Sequence, residues 1–165
     1  MPKKNQNPDL ADLAILRELQ ENARIPNSEL APKVGLSTSA CLARTNRLRQ
    51  QGVIKQFATI VDHEKIGLDI IAFTFVTLSP HSEPVAAAFA EQIEKLPQVT
   101  ESYHVTGDHD YMLKIVARNI PAYREFVVNS LLSIEGVSKV ETMMVLKVEK
   151  QRFSLPLEET RDNQR

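Results

Sequence analysis

Two groups of side chains in this sequence have the types and spacing to do chemistry. Lys33, Arg44, Arg47, Arg49 and Lys55 lie in a stretch from Leu30 to Val61 that contains no acidic residue. Guanidinium and ammonium groups pair with phosphates, and an arginine fork can also read the O6 and N7 atoms of guanine. Ser37, Thr38 and Ser39 stand ahead of these arginines, with hydroxyls suited to phosphate or base contacts, and Asn46 lies among them. Charge bias alone favours the plainer reading, a solvated basic helix face. The second group is Gly107-Asp108-His109-Asp110, with His104 just before it. Backbone N–H groups of such a turn can hold a carboxylate, and Asp108 or Asp110 can pair with an ammonium, the two charged ends of a free amino acid. The plainer reading is a hairpin turn made of turn-forming residues. A metal reading of His104, Asp108, His109 and Asp110 has zinc-type ligands. Neighbouring strand residues point to opposite faces and need not converge, so no metal and no cofactor are expected.

The elements that position the first group are three helices. Leu10, Leu13, Leu16 and Leu19 recur at helical spacing, with Asp9 or Asp12 as the cap. That helix ends near Asn22–Arg24, and Pro26 and Asn27 make a turn. Asn27 or Ser28 caps a short second helix through Lys33, closed by Gly35 in a left-handed conformation. Pro32 is tolerable there only near the first turn. Ser37 or Ser39 caps a third helix running to about Gln51 and closed by Gly52, with Cys41, Thr45 and Leu48 inward. Two helices joined by a short glycine-containing turn make a helix-turn-helix, whose second helix enters the major groove. Val53–Val61 is β-prone and reads as a strand or wing, and Asp62–Gly67 as a domain boundary. The lone Cys41 reads as a small buried hydrophobe rather than a nucleophile.

The second group needs a different frame. Asp69–Ser79, Val99–Thr106, Tyr111–Arg118 and Val137–Val148 read as strands. Val85, Phe89, Ile93 and Leu96 mark one helix, and Tyr123, Phe126, Val127 and Leu131 another. The order is βαββαβ, a ferredoxin-like arrangement with an antiparallel sheet and both helices on one face. Phe73, Phe75, Val105, Met112, Ile115, Met143, Met144 and Val145 cannot all face two helices. The uncovered apolar side chains need cover, and a second copy of the chain is the simplest, so a homodimer is expected. The expected divisions are a reader at 1–52, a strand and linker at 53–67, an effector and assembly domain at 68–150, and a polar tail at 151–165 that is loose unless Phe153, Leu155 and Leu157 dock. The fold class is therefore α+β.

Composition excludes several classes. One cysteine in 165 residues allows no intrachain disulfide and no CxxC knuckle. No apolar run approaches the length of a membrane helix, and the polar start, Met1 to Asn7, has no signal-peptide core. No membrane partner and a cytoplasmic, nucleoid-associated location are expected. The formal net charge of −1 hides a split. Residues 1–66 hold ten bases and seven acids, net +3, and the remainder ten and fourteen, net −4. Local positive charge, not the sum, meets phosphates.

With both halves in view, the chain resembles the Lrp/AsnC, or feast/famine, family of regulators. The resemblance runs from about Leu10 to Lys150. It rests on VGLSTSACLARTNRLRQQGVI, Val34 to Ile54, and on VTGDHDYMLKI, Val105 to Ile115. It implies a non-enzymatic transcription regulator that binds double-stranded DNA, dimerises through effector sheets and assembles to octamers or beyond. It also implies an amino-acid effector held near Gly107, Asp108, His109 and Asp110, with Tyr103, His104, Thr106, Met143 and Met144 as neighbours. Ala40 stands where many relatives carry Pro, and Thr45 where an aliphatic residue is common. Asn46 replaces a frequent basic residue, so a phosphate contact is lost or exchanged for a base contact. The DNA-facing set is then Ser37, Thr38, Ser39, Arg44, Asn46, Arg47, Arg49 and Lys55. Two other readings share the scaffold. One is an architectural protein that wraps DNA with little sequence preference. The other is a siroheme-decarboxylase-like enzyme using His104 or His109, against which the acid-free basic stretch argues.

Overall fold

A computed structural model describes residues 7–157. The chain divides into two compact units, one running to Ile60 and resuming at Lys150, the other Val61–Glu149. The first unit holds three helices, α1 (Leu10–Glu21), α2 (Asn27–Lys33) and α3 (Thr38–Gln50). Asp9 caps α1 in a reciprocal box: its carboxylate accepts from the Asp12 N–H at 2.9 Å, and the Asp12 carboxylate accepts from the Asp9 N–H at 3.1 Å. α2 has no side-chain cap; extended Pro26 precedes it, not the expected Asn27 or Ser28. Pro32 is the sixth of seven residues, deeper than anticipated, and its ring is exposed where the short helix is about to end. Gly35 follows at φ +67°, the left-handed conformation that glycine adopts without strain. Ile15, Leu30, Ala31, Cys41 and Leu48 form this unit's core, with Leu16, Leu19 and Ile25 against it. The expected stripe on α1 is displaced: Leu10 is exposed, and Ile15 is fully buried in its stead.

Two expected strand segments do not form. Val53–Val61 has no ladder partner among the described residues, and the last strand stops at Met144 rather than Val148. β-branched residues favour a pleated surface, but a strand exists only where another strand takes its N–H and C=O groups. Val53, Phe57, Ile60, Leu146 and Val148 stay exposed instead.

The second unit has the anticipated order. β1 (Ile70–Leu78), α4 (Glu83–Ile93), β2 (Val99–His104), β3 (Tyr111–Ala117), α5 (Ile120–Phe126) with a π turn at Val127–Leu131, and β4 (Val137–Met144) follow in turn. The sheet runs β2-β3-β1-β4, antiparallel at every junction. Val76, Leu78, Phe89, Ile93, Tyr111, Leu113, Ile115, Tyr123 and Phe126 pack between sheet and helices. Residues paired across strands share a face. Phe73 therefore lies with Lys114 and Met143, and Phe75 with Met112 and Glu141, on the face away from the core. Ile115, grouped with them at the outset, is in the core.

The tail is not loose as far as Leu157; beyond that it lies outside the described residues, as does the polar start before Asn7. Arg17 Nη2 and Nε donate to the Leu157 carbonyl at 2.8 and 3.2 Å. The Gln20 side chain accepts from the Leu155 N–H at 2.6 Å and donates to the Leu155 carbonyl at 3.2 Å. The segment thus joins α1 of the first unit.

Candidate functional site

α3 is positioned by its own ends and its inward face. The Ser37 hydroxyl accepts from the Ala40 N–H at 3.3 Å, and Cys41, Thr45 and Leu48 are buried. Thr45 donates its hydroxyl to the Cys41 carbonyl at 3.0 Å, so its polarity is spent locally. Burial among apolar groups pushes the Cys41 thiol up, the opposite of an activated thiolate. At helical spacing this leaves Ser39, Leu42, Ala43, Asn46, Arg49 and Gln50 exposed on the outer side.

Arg44 and Arg47 are not free cations on that surface. Arg44 Nη1 donates to Asp9 Oδ2 at 2.6 Å and to Asp12 Oδ1 at 2.9 Å, and Arg47 Nη2 donates to Asp12 Oδ2 at 2.5 Å. Asp12 is only 2% exposed, against 30% for Arg44 and 40% for Arg47. The Arg47 Nε is buried with no partner among the described residues. The Arg44 guanidinium, helped by the Asp12 N–H, holds the Asp9 carboxyl below the usual carboxylate range. A buried carboxylate stripped of its partner costs roughly 3–5 kcal/mol. The two arginines, expected to meet DNA, are thus also tied to carboxylates of their own domain. Lys33 is spent similarly, on Glu18 at 2.7 Å. Its ammonium is held above its ordinary value by that carboxylate.

Two cations of the acid-free stretch keep no carboxylate among the described residues, Arg49 and Lys55. The Arg49 guanidinium lies 5.9 Å from the Phe57 ring centre. With Asn46, Gln50 and Ile54 these two cations line a shallow groove of about 430 Å³. Ser37, Thr38 and Ser39 are exposed at the other end of the helix. The arrangement offers a small polar surface bounded by two free cations, a shape suited to a groove edge and its phosphates.

The second cluster is split by the sheet. His109 lies on the open face, 5.2 Å from the Phe75 ring centre, with Nδ1 3.2 Å from Thr77 Oγ1 and Nε2 3.4 Å from Glu141 Oε2. Tyr103 shares that face and donates to Glu101 Oε2 at 2.7 Å. Lys114 grips the same carboxylate at 2.7 Å, and these two bonds hold Glu101 below its ordinary pKa. Met143 is there too, opposite Phe73. His104 instead stacks on Tyr111, ring centres 4.8 Å apart, on the helix side. Asp110 turns the same way: its carboxylate accepts from the Leu78 N–H at 2.7 Å and lies 3.2 Å from His81 Nδ1. Met144, paired with Ala72, also faces away from the open side.

Thr106, Gly107 and Asp108 form the exposed tip of the loop between β2 and β3, which the Val105 N–H closes on the Asp110 carbonyl at 2.9 Å. Among the described residues the N–H groups of Thr106, Gly107, Asp108 and His109 have no hydrogen-bond partner. Gly107 holds φ +115°, a backbone conformation that glycine adopts without strain. A recess of about 560 Å³ beside the loop is lined by His81, His104, Asp110, Tyr111, Ala86 and Ala90. His81 and Glu141 complete these contacts and were not foreseen; no local pattern could mark partners 29 and 32 residues away. Among the described residues no three His, Cys, Asp or Glu side chains group to hold a metal ion. No described helix is long and apolar enough to cross a membrane.

Comparison with known proteins covers both units. Residues 8–55 match a winged helix-turn-helix DNA-binding model, and residues 71–155 match the Lrp/AsnC ligand binding domain. The transcriptional regulator AzlB of Bacillus subtilis is 48% identical over 151 residues, 92% of this chain and 96% of that one. The leucine-responsive regulatory protein of Rhizobium meliloti is 37% identical, over 84% of this chain and 89% of its own. Among solved structures, a transcriptional regulator from Neisseria meningitidis in complex with L-Met superposes with a TM-score of 0.85 at 36% identity, covering 90% of this chain and 96% of that one.

Proposed function

The chain belongs to the Lrp/AsnC family of transcriptional regulators, and we propose that it binds operator DNA through α3 and adjusts that binding or its assembly to a free amino acid. The observation that carries this reading is the exposed strip of α3, flanked by Arg49 and Lys55, in a chain that also bears a ligand-binding domain. Ser37, Thr38 and Ser39 contact phosphate or base edges at the helix start, and Arg49 and Lys55 pair with phosphates at its end. Arg44 and Arg47 act by holding α3 against α1.

The effector reading rests on the loop tip. Four unengaged N–H groups, from Thr106 to His109, suit a carboxylate, and Asp108 suits an ammonium, since the Asp110 carboxylate is already committed to Leu78 and His81. The L-Met complex of a relative supports an amino acid as the ligand class. The apolar open face, with Phe73, Phe75, Met112 and Met143, is covered by a second copy of the chain. The protein works in the cytoplasm and has no catalytic step. His104 and His109 lie on opposite faces of the sheet, so an enzymatic site could use one or the other but not the two together.

Fluorescence anisotropy with the promoter region of the chain's own gene, at stepped salt and with each of the twenty amino acids, tests the reading. Expected are a steep salt dependence and a shift in affinity with a small subset of amino acids. Equal affinity for random DNA would favour the architectural role instead. Absence of any DNA binding at low salt would overturn the proposal.

A further inference from the structure

The pairing of Arg44 and Arg47 decides more than stability: it determines which side chains remain to read bases. Reading guanine takes two parallel N–H donors aimed at O6 and N7. Arg44 Nη1 and Arg47 Nη2 are engaged by Asp9 and Asp12, which draws both guanidinium groups to the flank of α3 that faces α1. Around the helix axis, the side opposite Cys41, Thr45 and Leu48 carries Ala43, Asn46 and Gln50, with Leu42 at its edge. Two amides and two apolar side chains lead this surface, with Ser39 beside them and the Arg49 guanidinium at its edge, drawn to the Phe57 ring. A side-chain amide matches the N6 donor and N7 acceptor of adenine, and an alanine or leucine methyl matches the C5 methyl of thymine. None of the four offers the fork that guanine favours.

Resting on the DNA-binding reading above, we propose that base discrimination by α3 is carried by Asn46 and Gln50 with Ala43 and Leu42, and that it selects A·T pairs. Arg44 and Arg47 are positioning residues in this scheme. Asn46 and Gln50, one helical turn apart on the same side, address adenines separated along the groove. Ala43 and Leu42 pack on thymine methyls beside them. Arg49 and Lys55 add affinity without adding sequence information.

Selection of the full-length protein on a randomised duplex library tests this, repeated with Asn46→Ala, Gln50→Ala and the doubly conservative variant Arg44→Lys with Arg47→Lys. The wild type is expected to enrich A·T pairs at its most selective positions. Asn46→Ala is expected to relax one of those positions by on the order of tenfold while binding to random DNA at low salt is kept. Gln50→Ala relaxes a different one, and the lysine pair leaves the enriched sequence unchanged. Asn46 and Gln50 are exposed, so their truncation leaves the fold intact. A guanine enriched by the wild type and lost in the lysine pair would overturn the inference. So would an enriched sequence identical in Asn46→Ala, Gln50→Ala and wild type, with DNA binding itself still established. A wild type that binds no DNA at low salt fails the reading beneath it as well.

Discussion

The buried carboxylate of Asp12 lies 2.9 Å from Nη1 of Arg44, and this pair joins the first turn of α1 to the middle of α3. The same carboxylate closes the capping box with Asp9 and takes a second arginine, Arg47, at 2.5 Å. One side chain therefore starts a helix and clamps the reader.

Asp12→Ala removes the clamp and half of the capping box together. The reader should lose about 1–2 kcal/mol of stability, measured by denaturant unfolding with a helical signal. A loss below about 0.5 kcal/mol would show the network to be a surface ornament.

Acid should loosen the neighbouring Asp9–Arg44 pair. Arg44 holds Asp9 below its ordinary pKa, so the pair contributes stability above the unfolded carboxyl value of 3.8. That contribution falls away as pH drops from there through the lower folded value. Unfolding midpoints followed from neutral pH down to about 2 should show a loss in this window. Arg44→Met should flatten it; an unchanged pH profile in that variant would remove Arg44 as the cause.

A hydroxyl relay crosses the second core. Tyr123 on α5 bridges Thr74 Oγ1 at 2.8 Å and Thr142 Oγ1 at 2.7 Å, and Thr74 is fully buried. Tyr123→Phe leaves Thr74 without that partner and should cost about 1–2 kcal/mol, read as a lower melting temperature with an unchanged helix and strand spectrum. Pairing it with Thr74→Val should recover part of the loss.

Gly136 precedes β4 at φ +90°, and a Cβ there would collide with Val85 Cγ1. Gly136→Ala should destabilise this unit by about 1–3 kcal/mol. Adding Val85→Ala relieves the collision but not the strained φ, so thermal denaturation should show partial and not full rescue.

The docked tail gives a local readout. Gln20→Ala removes both bonds to the Leu155 main chain. Hydrogen exchange at the Leu155 amide should accelerate while the α1 amides stay protected. Exchange at Leu155 that is already at the free-peptide rate in the wild type would show that the tail does not dock.

Much of the molecule was readable from local order. Helical spacing of Cys41, Thr45 and Leu48, with a capping serine at position 37 or 39, placed α3, and the fold uses Ser37 as the cap. β-branched runs and turn dipeptides placed four strands and two helices in the observed order, because each of these signals acts over a few residues. Val53–Val61 shows the limit: its composition suits a strand, but no strand comes to pair with it. The Gly107–Asp110 loop shows another. Its residue types announce ligand chemistry, but adjacent residues diverge, His109 to one face and Asp110 to the other.

By itself the sequence determined the order of elements, the two-part charge division and the family, since all three are properties of neighbours along the chain. Only the tertiary structure decided which charges remain available. The stretch Leu30–Val61 holds no acid, yet Glu18 and Asp12 of α1 and its cap Asp9 come in from outside it and pair with Lys33, Arg44 and Arg47. Coulombic pairing and desolvation act through space, over separations of 15 to 35 residues here. A count along the chain sees five cations; among the described residues only Arg49 and Lys55 of these keep no carboxylate partner.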